Sequence, residues 1–96
     1  MNIIITGASA GIGREVALCL ARDRSNRIIA LSRNKTALQS LSEASEHKNI
    51  TILEVDIRLT QEVRKKLKNI ISGDSGGVDI LINNAGLLIN KPFKDL

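Results

Sequence analysis

The chain has 96 residues, 43% of them hydrophobic and 25% charged, so its length allows one small domain. Its formal net charge is +4, but the basic residues are scattered and the single aromatic residue, Phe93, offers no stacking platform, so we expect a solvated basic surface and no nucleic-acid partner. The single cysteine, Cys19, excludes an internal disulfide, and no apolar run approaches the ~20 residues of a membrane span, so we expect a cytoplasmic protein without a membrane partner.

The first predicted elements are a buried strand, a glycine-rich turn and a helix. The apolar run over residues 3–6 predicts a strand buried on both faces, as in a parallel sheet covered by helices. Residues 6–13, with the sequence Thr-Gly-Ala-Ser-Ala-Gly-Ile-Gly, predict a tight turn that leads into a helix ending near Asp23. The predicted apolar stripe of this helix consists of Ile12, Val16, Cys19 and Leu20.

Two further helices are predicted from their caps and apolar spacing. Asn34 is the expected N-cap of a helix that runs to about residue 47. Its apolar face is predicted to contain Ala37, Leu38, Leu41 and Ala44. Thr60 is the expected N-cap of the next helix. The apolar stripe of that helix is predicted to contain Val63, Leu67, Ile70 and Ile71.

Strands are predicted to alternate with these helices. Further strands are expected over residues 27–32, 50–55 and 79–83, and residues 87–96 predict an irregular tail that leads towards an absent helix. The alternation β-α-β-α-β-α-β predicts an α/β fold with a doubly wound parallel sheet and right-handed crossovers. We expect the strand order 3-2-1-4, with a ligand at the carboxyl edge near strands 1 and 4.

The residues that follow the predicted strands indicate phosphate chemistry. Glycines let backbone N–H groups approach an anion closely, and a helix that begins at Gly11 would point its positive end at that anion. Ser32 and Arg33 follow strand 2, Asp56 follows strand 3, and residues 83–86 follow strand 4. All of these are expected at one edge of the sheet. A tight turn without a ligand is the alternative for the glycines.

Two motifs on these elements carry a resemblance to a known family. Thr6, Gly7, Gly11 and Gly13 match a Thr-Gly-x-x-x-Gly-x-Gly motif, and the run Asn-Asn-Ala-Gly stands at residues 83–86. With the acid after strand 3, the chain resembles the short-chain dehydrogenase/reductase family over essentially its whole length. The resemblance implies a partial NAD(P)-binding Rossmann domain over residues 1–96, truncated after strand 4.

The resemblance also implies a site for a nicotinamide dinucleotide. Its implied residues are Gly7, Ser9, Ala10, Gly11, Ile12, Gly13, Ser32, Arg33, Asp56, Ile57, Asn83, Ala85 and Gly86. The residues from Gly7 to Gly13 would wrap the pyrophosphate. In such proteins the carboxylate at Asp56 accepts from the adenine amino group, Ile57 contacts the adenine, and the backbone at Asn83, Ala85 and Gly86 lies against the ribose. Asn83 and Asn84 are also expected to tie strand 4 to its neighbours by hydrogen bonds.

The residues after strand 2 favour NADP(H) over NAD(H). Folds that prefer NAD place an acid at the end of strand 2 to bind the ribose 2′-hydroxyl. This chain has Ser32 there, which does not repel a 2′-phosphate, and Arg33 offers a bidentate, charge-assisted contact. The alternative is that Arg33 is a solvated residue ahead of the second helix.

The chain lacks the catalytic group that the resemblance implies. The family uses a Tyr and a Lys four residues later, and this chain contains no tyrosine. We therefore expect a cofactor-binding fragment of an alcohol or carbonyl oxidoreductase that is inactive alone. The alternative is a non-catalytic nucleotide-binding or self-associating module. An open edge at strand 4 is expected to pair with a second copy and form a homo-oligomer.

Overall fold

The computed structural model describes residues 1–72 and 77–84, which form four strands and three helices in alternation. In chain order the elements are β1 (Asn2–Thr6), α1 (Gly11–Ala21), β2 (Arg27–Ser32), α2 (Lys35–Ala44), β3 (Ile50–Glu54), α3 (Thr60–Ser72) and β4 (Ile80–Asn83). The predicted tail over residues 87–96 lies outside the described residues, as do the side chains of Thr60, Ile70 and Ile71. No described helix has the length and apolar character needed to cross a membrane.

The sheet has the predicted order β3-β2-β1-β4, and all of its neighbouring strands are parallel. In this order β1, β2 and β3 advance in one direction, and the chain then returns past β1 to place β4. Because parallel crossovers are right-handed, the reversal puts α3 on the opposite face from α1 and α2. The register aligns Thr6 with Leu31 and Asn83, so β1, β2 and β4 end at a common edge.

Alternating side chains of the apolar strands form two cores, one on each face of the sheet. Ile3 and Ile5 are fully buried in the core that contains residues of α1 and α2. Ile4 and Ile29 are buried in the other core, against which Val63 and Leu67 of α3 pack. The burial of both faces that the apolar runs predicted is therefore confirmed.

The most buried residues of α1 are small, so the predicted apolar stripe is only partly confirmed. Gly13, Ala17 and Ala21, spaced four residues apart, are the buried residues of the helix. Ile12 is 76% exposed and Cys19 is also exposed, so both were wrongly assigned to the core. The helix approaches the strands closely because small side chains face them. Its larger residues, Val16 and Leu20, therefore lie half-buried along the flanks of the contact.

The helix starts were predicted to within one residue, since Thr60, the expected N-cap of α3, is instead its first residue; the end of α2 was predicted less well. Asn34 caps α2 as expected, because its Oδ1 accepts from the Ala37 amide at 3.0 Å. However, α2 ends at Ala44, which is exposed, instead of near residue 47. Ser45 follows as a buried C-cap residue, and its hydroxyl donates to Oδ1 of Asn49 at 3.0 Å.

The end of α1 is held by an amide from a distant part of the chain. Nδ2 of Asn49 lies 3.0 Å from the carbonyl oxygen of Ala21, 3.3 Å from that of Asp23 and 2.8 Å from that of Asn26. The bond to Ala21 satisfies a carbonyl that the last turn of a helix leaves without a partner, and the other two bonds reach the loop that follows α1. α1 ends at Ala21, two residues before the predicted end near Asp23.

Candidate functional site

The glycine turn after β1 depends on backbone conformations that disfavour other residues. Gly7 has a φ of 63° and Gly11 a φ of 58°, both in the left-handed region, where a β-carbon causes strain. Gly13 is helical, and glycine is needed there because no space is left for a side chain. A β-carbon there would collide with the carbonyl oxygen of Gly7 and with Nδ2 of Asn84. The first two glycines therefore shape the turn, and the third lets α1 pack directly on it.

The start of α1 has the features of an anion site. Ala10 is its N-cap residue and provides no side-chain hydrogen bond to the first amides of the helix. The first turn contains no acidic residue, so no carboxylate neutralises the positive end of the helix dipole. The amide of Arg14 already donates to the Ala10 carbonyl at 3.4 Å. The amides before it are the ones that a helix leaves for an external acceptor.

The end of β1 is fastened to the end of β4 by side-chain hydrogen bonds. The hydroxyl of Thr6, which is nearly buried, donates to Oδ1 of Asn83 at 2.9 Å and accepts from the Asn84 amide at 2.9 Å. Nδ2 of Asn84 also lies 3.4 Å from the Gly7 carbonyl. The predicted tying role of both asparagines is confirmed. Ala85 and Gly86, the other predicted residues of this motif, lie outside the described residues.

Two serine hydroxyls join the glycine turn to the end of β2. The Oγ atoms of Ser9 and Ser32 lie 2.8 Å apart, and Oγ of Ser32 accepts from the Asn34 amide at 3.1 Å. The amide of Gly7 donates to the Leu31 carbonyl at 3.0 Å. Together these bonds hold the glycine turn beside β2. This agrees with the prediction that both lie at the same edge of the sheet.

A cavity of about 410 Å³ opens at this edge, above the carboxyl ends of β1, β2 and β3. Its lining residues are Thr6, Gly7, Leu31, Ser32, Arg33, Asn34, Val55, Asp56, Ile57 and Arg58. Five predicted site residues, Gly7, Ser32, Arg33, Asp56 and Ile57, are thus brought together. The exposed Ile12 lies instead in a shallow depression on α1 that it shares with Gly11.

The cavity rim carries one acid between two arginines. The guanidinium of Arg58 binds the Asp56 carboxylate in a bidentate manner, with Nε 3.0 Å from Oδ1 and Nη2 2.8 Å from Oδ2. The Arg58 amide also donates to Oδ1 at 3.0 Å. These hydrogen bonds from Arg58 lower the pKa of Asp56 to about 2, with a smaller charge effect from Arg33. Asp56 is therefore ionised at neutral pH.

Arg58 lines the cavity and contacts Asp56, although it was not among the predicted residues. The available signal was its position two residues after Asp56, from which a backbone amide commonly reaches an aspartate side chain. A positively charged side chain at that spacing can also bind the aspartate carboxylate. Among the described residues, no group of three or more His, Cys, Asp or Glu side chains could hold a metal ion.

Comparison with known proteins identifies the family. The family model for short-chain dehydrogenases matches residues 1–96. The chain belongs to the short-chain dehydrogenase family. Proteins of this family bind a nicotinamide dinucleotide, and the four-stranded 3-2-1-4 sheet with three helices matches their Rossmann-like fold.

Solved structures of the family superpose on most of the chain. A β-ketoacyl-[ACP] reductase from Bacteroides thetaiotaomicron matches 88% of the chain with 33% identity and a TM-score of 0.78, and the match spans 40% of that protein. A short-chain dehydrogenase from Bacillus anthracis matches 99% of the chain with 32% identity and a TM-score of 0.79, spanning 38% of that protein.

The curated relatives are also longer than the chain. An oxidoreductase from Staphylococcus aureus is 29% identical over 92 residues, which cover 96% of this chain and 39% of the relative. A 3-oxoacyl-[acyl-carrier-protein] reductase from Staphylococcus epidermidis is 33% identical over 88 residues, covering 90% of this chain and 36% of the relative. The chain thus spans about two fifths of the length of the relatives it matches.

Proposed function

We propose that the chain is the NADP(H)-binding part of an oxidoreductase that transfers a hydride between the cofactor and an alcohol or carbonyl. The observation that carries this proposal is the cavity between the glycine turn and the rim arginines. Its rim offers the guanidinium of Arg33 for one phosphate, and at Gly7 it reaches the glycine turn, which leads to the first amides of α1 for a pyrophosphate. Family membership supplies the class of chemistry.

The proposed cofactor contacts follow from where each residue lies along the carboxyl edge of the sheet. The turn from Gly7 to Gly13, which includes Ser9, Ala10, Gly11 and Ile12, takes the pyrophosphate at the start of α1. Ile57, half-buried in the cavity wall, is assigned to the adenine ring, and Asp56 to the adenine amino group. Asn83, Ala85 and Gly86 are assigned to the ribose. When bound, the nicotinamide supplies or accepts the hydride.

The preference for NADP(H) is proposed from the end of β2. Ser32 lines the cavity where a carboxylate would repel a 2′-phosphate, and its hydroxyl is engaged with Ser9 at 2.8 Å. Arg33 stands next to it with a side chain that is 68% exposed. A guanidinium in this position can bind a phosphate through two parallel hydrogen bonds.

Titration with both reduced cofactors tests the proposal. The chain contains no tryptophan or tyrosine, so the fluorescence of a bound reduced nicotinamide can be followed without interference from those residues. We expect NADPH to bind at least about tenfold more tightly than NADH, a difference of about 1.4 kcal/mol. Arg33→Gln should remove most of this difference, while Arg22→Gln, which changes an exposed arginine beyond the end of α1, should retain it. Equal or NADH-favouring affinities in the unsubstituted chain would overturn the cofactor assignment.

The chemical step is assigned to the longer protein that the relatives represent. Tyrosine, the residue expected to transfer the proton, is missing from these 96 residues, so we expect the chain alone to bind cofactor without turnover. An assay with NADPH and a panel of carbonyl compounds should show no oxidation above a protein-free control. Measurable turnover would contradict this assignment. The proposed site of action is the cytoplasm.

Self-association is proposed through β4, which is an edge strand of the described sheet. Its Ile80 is 37% exposed, and exposed strand edges are templates for pairing with a second chain. Sedimentation over a range of concentrations should show a monomer–dimer equilibrium. Ile80→Lys, which places a charge on this edge, should shift it towards monomer. A monomer at all concentrations would refute the proposed pairing.

A further inference from the structure

The two arginines at the cavity rim have unequal access to the acid between them. Both oxygens of Asp56 are bonded by Arg58, at 3.0 and 2.8 Å. Arg33 reaches the same carboxylate only through Nη1 to Oδ2, at 3.7 Å, which is too long for a hydrogen bond. Arg58 is therefore committed to Asp56, whereas the guanidinium of Arg33 keeps its donors available at the rim.

The number of hydrogen bonds that the Asp56 carboxylate can accept explains why Arg58 binds it closely and Arg33 does not. A carboxylate has about four lone-pair positions. Arg58 donates to Oδ1 with its amide and Nε and to Oδ2 with Nη2, and its Nε also lies 3.3 Å from Oδ2. At most one position, on Oδ2, remains for a further donor such as Arg33. Asp56 consequently lacks the two free oxygens that a bidentate pair with Arg33 requires.

Removal of the Arg58 side chain would leave Asp56 and Arg33 free to pair with each other. Asp56 would retain a negative charge with both oxygens free, and Arg33 would be the nearest guanidinium able to bind it. That pairing would withdraw Arg33 from a phosphate. Without Arg58 the rim would also change from one net positive charge, two arginines against one aspartate, to a neutral pair. Both effects would weaken binding of an anion at the rim.

We propose that Arg58 is a positioning residue for cofactor selectivity, because by occupying Asp56 it leaves Arg33 free to bind the 2′-phosphate of NADP(H). The inference rests on the proposed function. It assigns to Arg58 an action exerted through Asp56 and Arg33 instead of through direct contact with the phosphate. It follows that Arg58 is needed only while the Asp56 carboxylate is present.

This dependence makes a double substitution the decisive test. The probes are adenosine 2′,5′-bisphosphate and adenosine 5′-monophosphate, which differ only by the 2′-phosphate, with affinities measured by calorimetry at fixed low ionic strength. Selectivity is the ratio of the two dissociation constants. The proteins compared are the unsubstituted chain, Arg58→Gln, Asp56→Asn, Asp56→Asn/Arg58→Gln and Arg33→Gln.

We expect Arg58→Gln to lower selectivity at least about fivefold, towards that of Arg33→Gln. The double variant should recover selectivity to within about twofold of the unsubstituted chain, because a neutral amide neither pairs with Arg33 as an ion nor repels a phosphate. Arg58 is 61% exposed, so its substitution is not expected to disturb a core. Circular dichroism of each variant checks the fold.

Results that contradict the role of Arg58 can be distinguished from results that contradict the NADP(H) assignment. Unchanged selectivity in Arg58→Gln would overturn the positioning role while leaving the NADP(H) assignment intact. Selectivity that stays low in the double variant would also overturn it, because Arg58 would then act on the phosphate directly. Absence of selectivity in the unsubstituted chain would refute the assignment of NADP(H) itself, and the role of Arg58 with it.

Discussion

The ionisation of Asp56 is set by one neighbour, and this gives a pH dependence with a definite sign. Its pKa in the folded chain is lowered from 3.8 to about 2, mainly by hydrogen bonds from Arg58. A lowered folded-state pKa means that the ionised form favours folding. The stability that Asp56 contributes is therefore present above pH 3.8 and is lost as the pH falls through about 2.

The titration of this carboxyl can be followed directly by carbon NMR. We expect a midpoint near 2 in the unsubstituted chain and a rise in Arg58→Gln that stops short of 3.8, because the substitution removes the Arg58 guanidinium but lets Arg33 pair with the carboxylate. Arg33→Gln serves as the control and should raise the midpoint less, since its contact is 3.7 Å long. Equal midpoints in all three proteins would show that the bidentate pair does not form in solution.

A second prediction at the residue scale concerns Ser32. Ser32→Asp would place a carboxylate in the cavity wall beside Arg33, where it can bind a ribose hydroxyl and repel a 2′-phosphate. We expect NADPH affinity to fall by about tenfold or more while NADH affinity stays equal or improves. Ser32→Asn is the uncharged control. A parallel loss of both cofactors would indicate instead that the Ser9–Ser32 bond shapes the turn.

The contact between α1 and the glycine turn depends on the size of a single residue. Gly13→Ala introduces a β-carbon that meets the Gly7 carbonyl oxygen and the side-chain Nδ2 of Asn84, so the helix must move away. We expect a loss of about 1–3 kcal/mol in the free energy of unfolding, together with shifted amide resonances at Gly7 and Asn84. Chemical denaturation and NMR provide the two measurements.

Gly11→Ala is the matched control for that substitution. A β-carbon at Gly11 meets nothing within 4 Å, and its left-handed φ of 58° accounts for an expected cost of about 1 kcal/mol. The resonances of Gly7 and Asn84 should then remain near their original positions. If both variants left these resonances unchanged, the close approach at Gly13 would not limit the packing of α1.

The same contact shows why α1 was only partly predictable as an element. Hydrophobicity assigned Ile12 to the core, whereas the helix buries Gly13, Ala17 and Ala21 and leaves Ile12 exposed. A periodic pattern locates a helix and gives its approximate length. It does not report the distance between helix and sheet, and this distance determines whether large or small residues face inward.

At the scale of the whole molecule, Thr6 joins β1 to β4, the strand that the chain adds on the other side of β1. β1 and β4 are adjacent in the sheet although they lie at opposite ends of the described chain, and the Thr6 hydroxyl bonds both Asn83 and Asn84. Thr6→Val removes this hydroxyl and leaves the Asn84 amide without its acceptor. We expect a loss of about 1 kcal/mol in the free energy of unfolding.

Hydrogen exchange distinguishes a local effect from a general one. Amides of β4 should exchange faster in Thr6→Val, while those of β2, whose backbone bonds are untouched, should change less. Thr6→Ser keeps the hydroxyl and should retain the protection of β4. Equal acceleration in β2 and β4 would show that Thr6 acts through general packing instead of through this connection.

The sequence alone determined the elements, their alternation and the edge at which the candidate site lies. Apolar runs mark buried strands, and glycines and Asn34 mark turns and a cap, because these signals arise from local backbone geometry. The right-handed crossover rule then restricted the topology to few arrangements, and the doubly wound pattern predicted the observed order 3-2-1-4.

Only the tertiary structure decided which groups meet. The close packing of α1, the capture of the end of α1 by Asn49 and the joining of two strands by Thr6 each depend on residues far apart in the chain. The pairing of Asp56 with Arg58 in preference to Arg33 is a competition between two cations for one carboxylate. Its outcome is set by distance and orientation in three dimensions, whereas the spacing of Asp56 and Arg58 along the chain permits their contact without excluding Arg33.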